Sequence, residues 1–145
     1  PVRPGPHGEP RLAGHPDVGI SVSHDGDTVA AAVAPGRRVG VDVQQPPSGP
    51  HERLVRRCLR ERAEQLAALP PDGRAEEFAW VWTVQEACVK AAGTGLAGQP
   101  WAIDVPLGHR RGRWDDYAWV SLRDTSTTPL SCAFTDLEQS CPSAR

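Results

Sequence analysis

The chain has 145 residues, 39% apolar and 23% charged, with 15 Pro and 14 Gly, which fits one loop-rich domain with one active site. Lys plus Arg number 16 against 18 Asp plus Glu, and the net charge of -2 excludes a globally basic nucleic-acid binder. The longest apolar run, Val29 to Ala34, is far short of the roughly 20 residues that span a bilayer, so a soluble, cytoplasmic protein with no membrane partner is expected.

No Met occurs, even at position 1, so some N-terminal sequence is expected to be missing. Residues 1–17 carry five Pro and three Gly without periodicity, which predicts an extended lead-in loop. From Gly19 a meander follows. Strands are predicted at Ile20 to Ser23, Thr28 to Ala34 and Val39 to Gln44, separated by Asp25-Gly26 and Pro35-Gly36 turn signals. The small side chains Ala30, Ala31 and Ala32 predict close packing of the middle strand, with a helix as its neighbour.

His51 to Leu69 has Leu54, Val55, Cys58, Leu59, Leu66 and Leu69 mostly at helical spacing and reads as a first helix. Pro70 and Pro71 stop it. Asp72 is the expected N-cap of a second helix, Arg74 to Ala92, closed by Gly93 in the C-terminal capping position. Trp101 to Val105, Tyr117 to Arg123 and Leu130 to Thr135 read as strands, and Leu137 to Arg145 as a flexible tail. The fold class is α+β, a single domain over residues 1–145 with an antiparallel sheet packed against two main helices. Cys58, Cys88, Cys132 and Cys141 lie far apart, without zinc-ligand spacing, and read as reduced thiols.

Lys90 is the only lysine and follows Glu86 by four positions on the second helix. On an ordinary surface such a pair contributes about 0.3–0.5 kcal/mol. Here Phe78 and Trp82 precede it on the same stripe, so the pair continues an apolar face and points inward. Asp42 interrupts Val39-Gly-Val-Asp-Val43, where a buried carboxylate needs a partner. Glu86 with Asp42 and the amide oxygen of Gln44 would make a hard oxygen set suited to Mg²⁺ on a substrate phosphate. His24 ends its strand before the turn, within reach of a ligand along the sheet edge. Arg3, Arg11, Arg37 and Arg38 are available to anionic groups. Gly93-Thr94-Gly95 lacks the spacing and the Lys of a P-loop, and neither a Gly-x-Ser-x-Gly elbow nor an HExxH helix occurs.

In order, Ser21-Val-Ser-His24, Val39-Gly-Val-Asp42-Val-Gln44 and Phe78-Ala-Trp-Val-Trp82-Thr-Val-Gln-Glu86-Ala-Cys-Val-Lys90-Ala-Ala-Gly93-Thr-Gly-Leu96 resemble the 4'-phosphopantetheinyl transferases, most closely their surfactin-type branch. Gly8-Glu9-Pro10 is similar to that branch's Gly-Lys-Pro segment, so the resemblance runs from about Gly8 to Leu96. It implies transfer of the phosphopantetheine arm of coenzyme A to a serine of an apo acyl or peptidyl carrier protein. Such carriers serve polyketide, nonribosomal peptide or fatty acid synthesis. Mg²⁺ assists, and adenosine 3',5'-bisphosphate is released. Asp42 and Glu86 would then hold the metal, Glu86 would also help deprotonate the carrier serine, Lys90 would contact the phosphates, and His24 would bind the coenzyme.

Three positions depart from that pattern. Gln44 stands where many members have a third acidic ligand, Gln85 replaces the Lys before the catalytic Glu, and Glu9 replaces a coenzyme-contacting Lys, leaving arginines such as Arg3 and Arg11 to take its place. The chain also lacks most of the N-terminal half with which the surfactin-type pseudo-dimer completes its cleft. That part is expected from upstream residues or from another subunit of a homo-oligomer. The competing expectation is a non-catalytic carrier-binding module of the same fold, which retention of Asp42, Glu86 and Lys90 together disfavours.

Overall fold

A computed structural model describes residues 1–135 apart from His7 and Pro50. The expected tail at Leu137 to Arg145, and Cys141 with it, lies outside the described residues. The element order is β1 Val2–Pro4, β2 Pro10–Leu12, β3 Val18–Asp25, β4 Thr28–Pro35, β5 Val39–Val43, α1 Glu52–Leu59, α2 Ala63–Ala67, α3 Pro71–Ala92, β6 Arg111–Trp114, β7 Tyr117–Ser121 and β8 Leu130–Thr135. The α+β class is borne out, with all strand pairs antiparallel.

The organising element is α3. Eleven of its 22 residues are buried, Phe78, Val81, Val84, Cys88 and Val89 among them. A helix buried on several sides lacks the single apolar stripe of a surface helix. β5, β8 and β7 cover one side of it, while α2 and the turn Pro100–Ala102 cover another. It starts at Pro71, not Arg74, with Pro70 rather than Asp72 at the cap, because proline's fixed φ suits the first helical position and its missing N–H is not needed there. Gly93, at φ 72, closes it as expected, its N–H donating to the Lys90 carbonyl and that of Thr94 to Val89.

Several expectations require correction. The lead-in is not all loop: β1 and β2 form a small hairpin that sets Arg3 opposite Arg11. The first helix is broken, because Arg60 takes a left-handed φ of 52 and a 3-10 turn, Arg60–Arg62, separates α1 from α2. The break lets Val55, Cys58 and Leu59 and then Leu66 all reach the core. Arg57 meanwhile stacks on Trp101, and Arg62 holds Asp104 through two hydrogen bonds of 2.6 and 2.7 Å. Trp101 to Val105 is not a strand. Its first residues complete a 3-10 turn, and the Ile103 carbonyl accepts from the Gln85 side chain. A further strand not expected, β6, is an edge strand joined to β7 by a tight Asp115-Asp116 turn, with Asp115 at φ 52.

The meander is also divided. β3 pairs with β4, but β5 pairs with β8 in a sheet ordered β5-β8-β7-β6. Side chains of β3 bridge the seam. Ser21 Oγ accepts from the Val41 N–H (3.0 Å), Ser23 Oγ from Val43 (3.3 Å) and Asp25 Oδ2 from Gln45 (2.6 Å). Ser21 and Ser23 thus satisfy donors of β5 that would otherwise be orphaned in the interior, while Asp25 ties down the exposed Gln45 beyond it. The opposite face of this hairpin is exposed at Val22, Val29 and Val33. The Ala-rich β4 lies against β3 and β5 rather than against a helix as its main neighbour.

Cys58 and Cys88 are buried free thiols, pushed up by burial to about 11 and about 12, and Cys132 is a half-buried one. No described helix is long and apolar enough to cross a membrane.

Candidate active site

All five residues of β5 are buried, so each face of the strand needs a partner. Gly40 and Asp42 face α3. Any side chain at Gly40 would run into the Ala87 carbonyl and the Ala91 amide, so glycine is what lets strand and helix approach closely. Two residues on, Asp42 meets the last turn of α3. Its Oδ1 lies 2.6 Å from Lys90 Nζ and accepts from Ser23 Oγ at 2.9 Å, while Nζ also donates to the Val41 carbonyl at 3.2 Å. The expected Glu86–Lys90 pair is therefore replaced, because the close approach of β5 offers Lys90 a buried carboxylate.

Glu86 is half-buried, and its Oε1 is buried without a hydrogen-bond partner. Burial, and then the negative charge of Asp42, hold its carboxyl above the usual glutamate range, with Lys90 pulling the other way. Asp42 is likewise held up by burial, against the pull of Lys90. Two carboxylates share one ammonium, so the site is short of positive charge and rich in hard oxygen acceptors. Among the described residues no group of three or more His, Cys, Asp or Glu is gathered to hold a metal ion. A cation here would rely on Asp42, Glu86 and oxygens from elsewhere.

Gln44 continues the Asp42 face, and its Nε2 donates to Asp25 Oδ2 at 2.8 Å. Lys90 and Gly93 line two neighbouring cavities. One of about 860 Å³ also meets Arg3, Arg11, His15 and Arg38, and one of about 580 Å³ also meets Ile20, Ser21 and Thr94. Volumes of this order suit a small-molecule ligand. Arg3 and Arg11 are thus brought to the Lys90 cavity, although Arg11 is also paired with Glu9 at 2.6 Å. Arg38 reaches it with Nη1 3.3 Å from the Tyr117 hydroxyl. His24 is not brought to these groups. Strand alternation turns it to the exposed face of β3, opposite Val29, and it lines neither cavity. A groove of about 820 Å³ between α1, α2 and the start of α3 holds none of these residues.

Sequence reasoning missed the part played by two side chains. Asp25 reads as a turn residue but faces β5. Gln85, read as a departure at the position before the expected catalytic Glu, is fully buried and structural, donating to the Cys58 and Ile103 carbonyls at 2.9 and 2.8 Å.

The family model of the 4'-phosphopantetheinyl transferase superfamily matches residues 38–142, spanning Asp42, Glu86 and Lys90. The chain belongs to this superfamily. It is 28% identical over 116 residues to a 4'-phosphopantetheinyl transferase of Bacillus subtilis, covering 80% of this chain and 48% of that protein. It is 34% identical over 99 residues to the 4'-phosphopantetheinyl transferase pptA of Paxillus involutus, covering 56% and 38%. It is 32% identical over 102 residues to an L-aminoadipate-semialdehyde dehydrogenase-phosphopantetheinyl transferase of Xenopus laevis, covering 61% and 34%. This chain thus spans about half or less of the length of each of these relatives.

Proposed function

We propose that this chain acts as a Mg²⁺-dependent 4'-phosphopantetheinyl transferase of the surfactin type, moving the arm of coenzyme A to the serine of an apo acyl or peptidyl carrier protein. The observation that carries this reading is the orphaned Glu86 Oε1 and the buried Asp42 carboxylate with one ammonium between strand and helix, that ammonium, Lys90, also lining the cavity of about 860 Å³. The names of the matched relatives support it.

Asp42 and Glu86, with the amide oxygen of Gln44, would hold Mg²⁺. The ion, when bound, neutralises spread phosphate charge and aligns the displacement. The chain's own groups do the rest. Lys90 Nζ, once Asp42 has another cation, turns to the phosphate oxygens and stabilises the charge that develops on the leaving group. Glu86, raised by burial, is a suitable acceptor for the proton of the carrier serine. The serine oxygen forms the new bond to phosphorus as the pyrophosphate linkage breaks, releasing adenosine 3',5'-bisphosphate. Arg3, Arg11 and Arg38 offer bidentate donors to the remote phosphates, and His24 grips the coenzyme where it passes over the outer face of β3. The reaction takes place in the cytoplasm, on carriers of polyketide, nonribosomal peptide or fatty acid synthesis.

Mass spectrometry of apo carrier proteins incubated with this protein, coenzyme A and Mg²⁺ tests the reading. Gain of the phosphopantetheine arm is expected. Unchanged carriers, or coenzyme hydrolysed without transfer, would overturn it.

A further inference from the structure

Gln44 is neutral at a position beside Asp42 where a carboxylate would bind a cation better, and the structure shows what stands behind it. Asp25, the last residue of β3, reaches across the seam, and its Oδ2 accepts from both the Gln44 Nε2 (2.8 Å) and the Gln45 N–H (2.6 Å). A second acceptor, the Gln45 carbonyl, lies 3.4 Å from the same Nε2. Both neighbours of Nε2 accept hydrogen bonds, so the orientation of the amide is decided: the NH2 group must face Asp25, and Oε1 is the end left over. Among the described residues no hydrogen bond reaches that oxygen. We propose that Asp25 is a positioning residue that fixes the Gln44 amide with Oε1 free for the ion and places a negative charge directly behind this neutral ligand.

Carboxylates commonly orient a metal ligand from the next layer out and raise its donor strength. Here the arrangement distributes between two residues, an amide in contact and a carboxylate behind it, what one acidic side chain would do at position 44. The charge of Asp25 is felt at the site, since it adds to the forces holding the Asp42 carboxyl up. Asp25 is also fixed in place by the Gln45 N–H, so the orientation it imposes does not depend on a mobile side chain.

The inference rests on the metal reading given above, and the test separates the two. Mg²⁺ is titrated calorimetrically into the protein holding coenzyme A, for the wild type, Asp25→Asn, the double variant Asp25→Asn with Gln44→Glu, and Asp42→Asn as reference. In Asp25→Asn the single amide oxygen can still accept from both Gln44 Nε2 and the Gln45 N–H, but the negative charge behind the neutral ligand is removed. Mg²⁺ affinity should fall by about 10-fold in Asp25→Asn. It should return to wild-type level or above in the double variant, where the introduced amide donates to the introduced carboxylate and the charge sits on the ligand itself. Gln44→Glu with Asp25 kept is the control: if Asp25 acts through the neutral ligand, its substitution costs Mg²⁺ affinity when residue 44 is Gln and not when it is Glu, whereas a purely structural role gives the same loss in both backgrounds. Equal Mg²⁺ affinity in wild type and Asp25→Asn, with affinity lost in Asp42→Asn, overturns the role of Asp25 and leaves the metal site standing. Affinity unchanged in Asp42→Asn as well overturns both.

Discussion

The ammonium of Lys90 rests on Asp42 Oδ1 at 2.6 Å, across the junction of β5 and α3, and not on Glu86 one turn before it. The single lysine therefore ties the two elements that hold the proposed site, and it occupies the oxygen at which the proposed metal would bind. Lys90→Ala should lower turnover more than it weakens coenzyme binding, because a cation near the leaving phosphate matters most as charge develops there. It should also cost about 1–3 kcal/mol of stability in urea unfolding, since the buried Asp42 loses a charged partner. Unchanged turnover in a folded variant would reduce Lys90 to a structural ion pair.

The raised carboxyls make a pH prediction whose sign follows from linkage. Burial lifts Glu86 above its ordinary 4.5 and Asp42 above its ordinary 3.8. In the window between those ordinary values and the raised ones, the folded protein binds more protons than the unfolded chain, so stability falls as pH rises through it. Glu86→Gln should therefore be more stable than wild type at neutral pH, with the advantage vanishing as the pH drops toward 4.5, while transfer is lost. Thermal unfolding of both proteins across this range checks it, and a variant less stable at neutral pH would contradict the account.

Gly40→Ala places a methyl group against the Ala87 carbonyl and the Ala91 amide, both main-chain atoms that cannot swing aside. A cost of about 1–3 kcal/mol is expected from overpacking. The shift of β5 should also separate Asp42 from Lys90, so turnover should fall further than the loss of folded protein explains. Comparison of unfolding midpoints with activity per folded molecule reads both effects.

Much of this architecture is legible in the sequence because local signals and global packing agree. The Asp25-Gly26 and Pro35-Gly36 turns, strand β8 and the Gly93 cap stand where turn and capping chemistry put them. Asp42, Glu86 and Lys90 are visible as charged positions on otherwise apolar faces. What is not legible depends on approach in three dimensions. The partner of Lys90 is set by how closely Gly40 lets β5 approach α3, and the pairing of β5 with β8 joins segments far apart in the chain. The break at Arg60 opposes a good helical pattern, and only the core that Leu59 and Leu66 must share reveals it. The role of Asp25 is hidden for the same reason, since nothing local distinguishes a turn aspartate from one reaching across a seam.

His24 stands apart from the carboxylates on the exposed face of β3, and its proposed contact is with the coenzyme end remote from the reacting bond. His24→Ala should raise the KM for coenzyme A several-fold while leaving most of the turnover number. Lost turnover with an unaltered KM would instead make it a participant in proton transfer.

In the proposed function Asp42 and Glu86 share a cation with the coenzyme's pyrophosphate. With two protein carboxylates in contact, Mg²⁺ should bind weakly alone and tightly only when phosphate oxygens complete its shell, and the coupling must be reciprocal. Calorimetric titration of coenzyme A into the protein, with and without Mg²⁺, measures this most directly. Tighter coenzyme binding with Mg²⁺ is expected in the wild type, and no such gain in Asp42→Asn. Coenzyme affinity indifferent to Mg²⁺ in the wild type would contradict it.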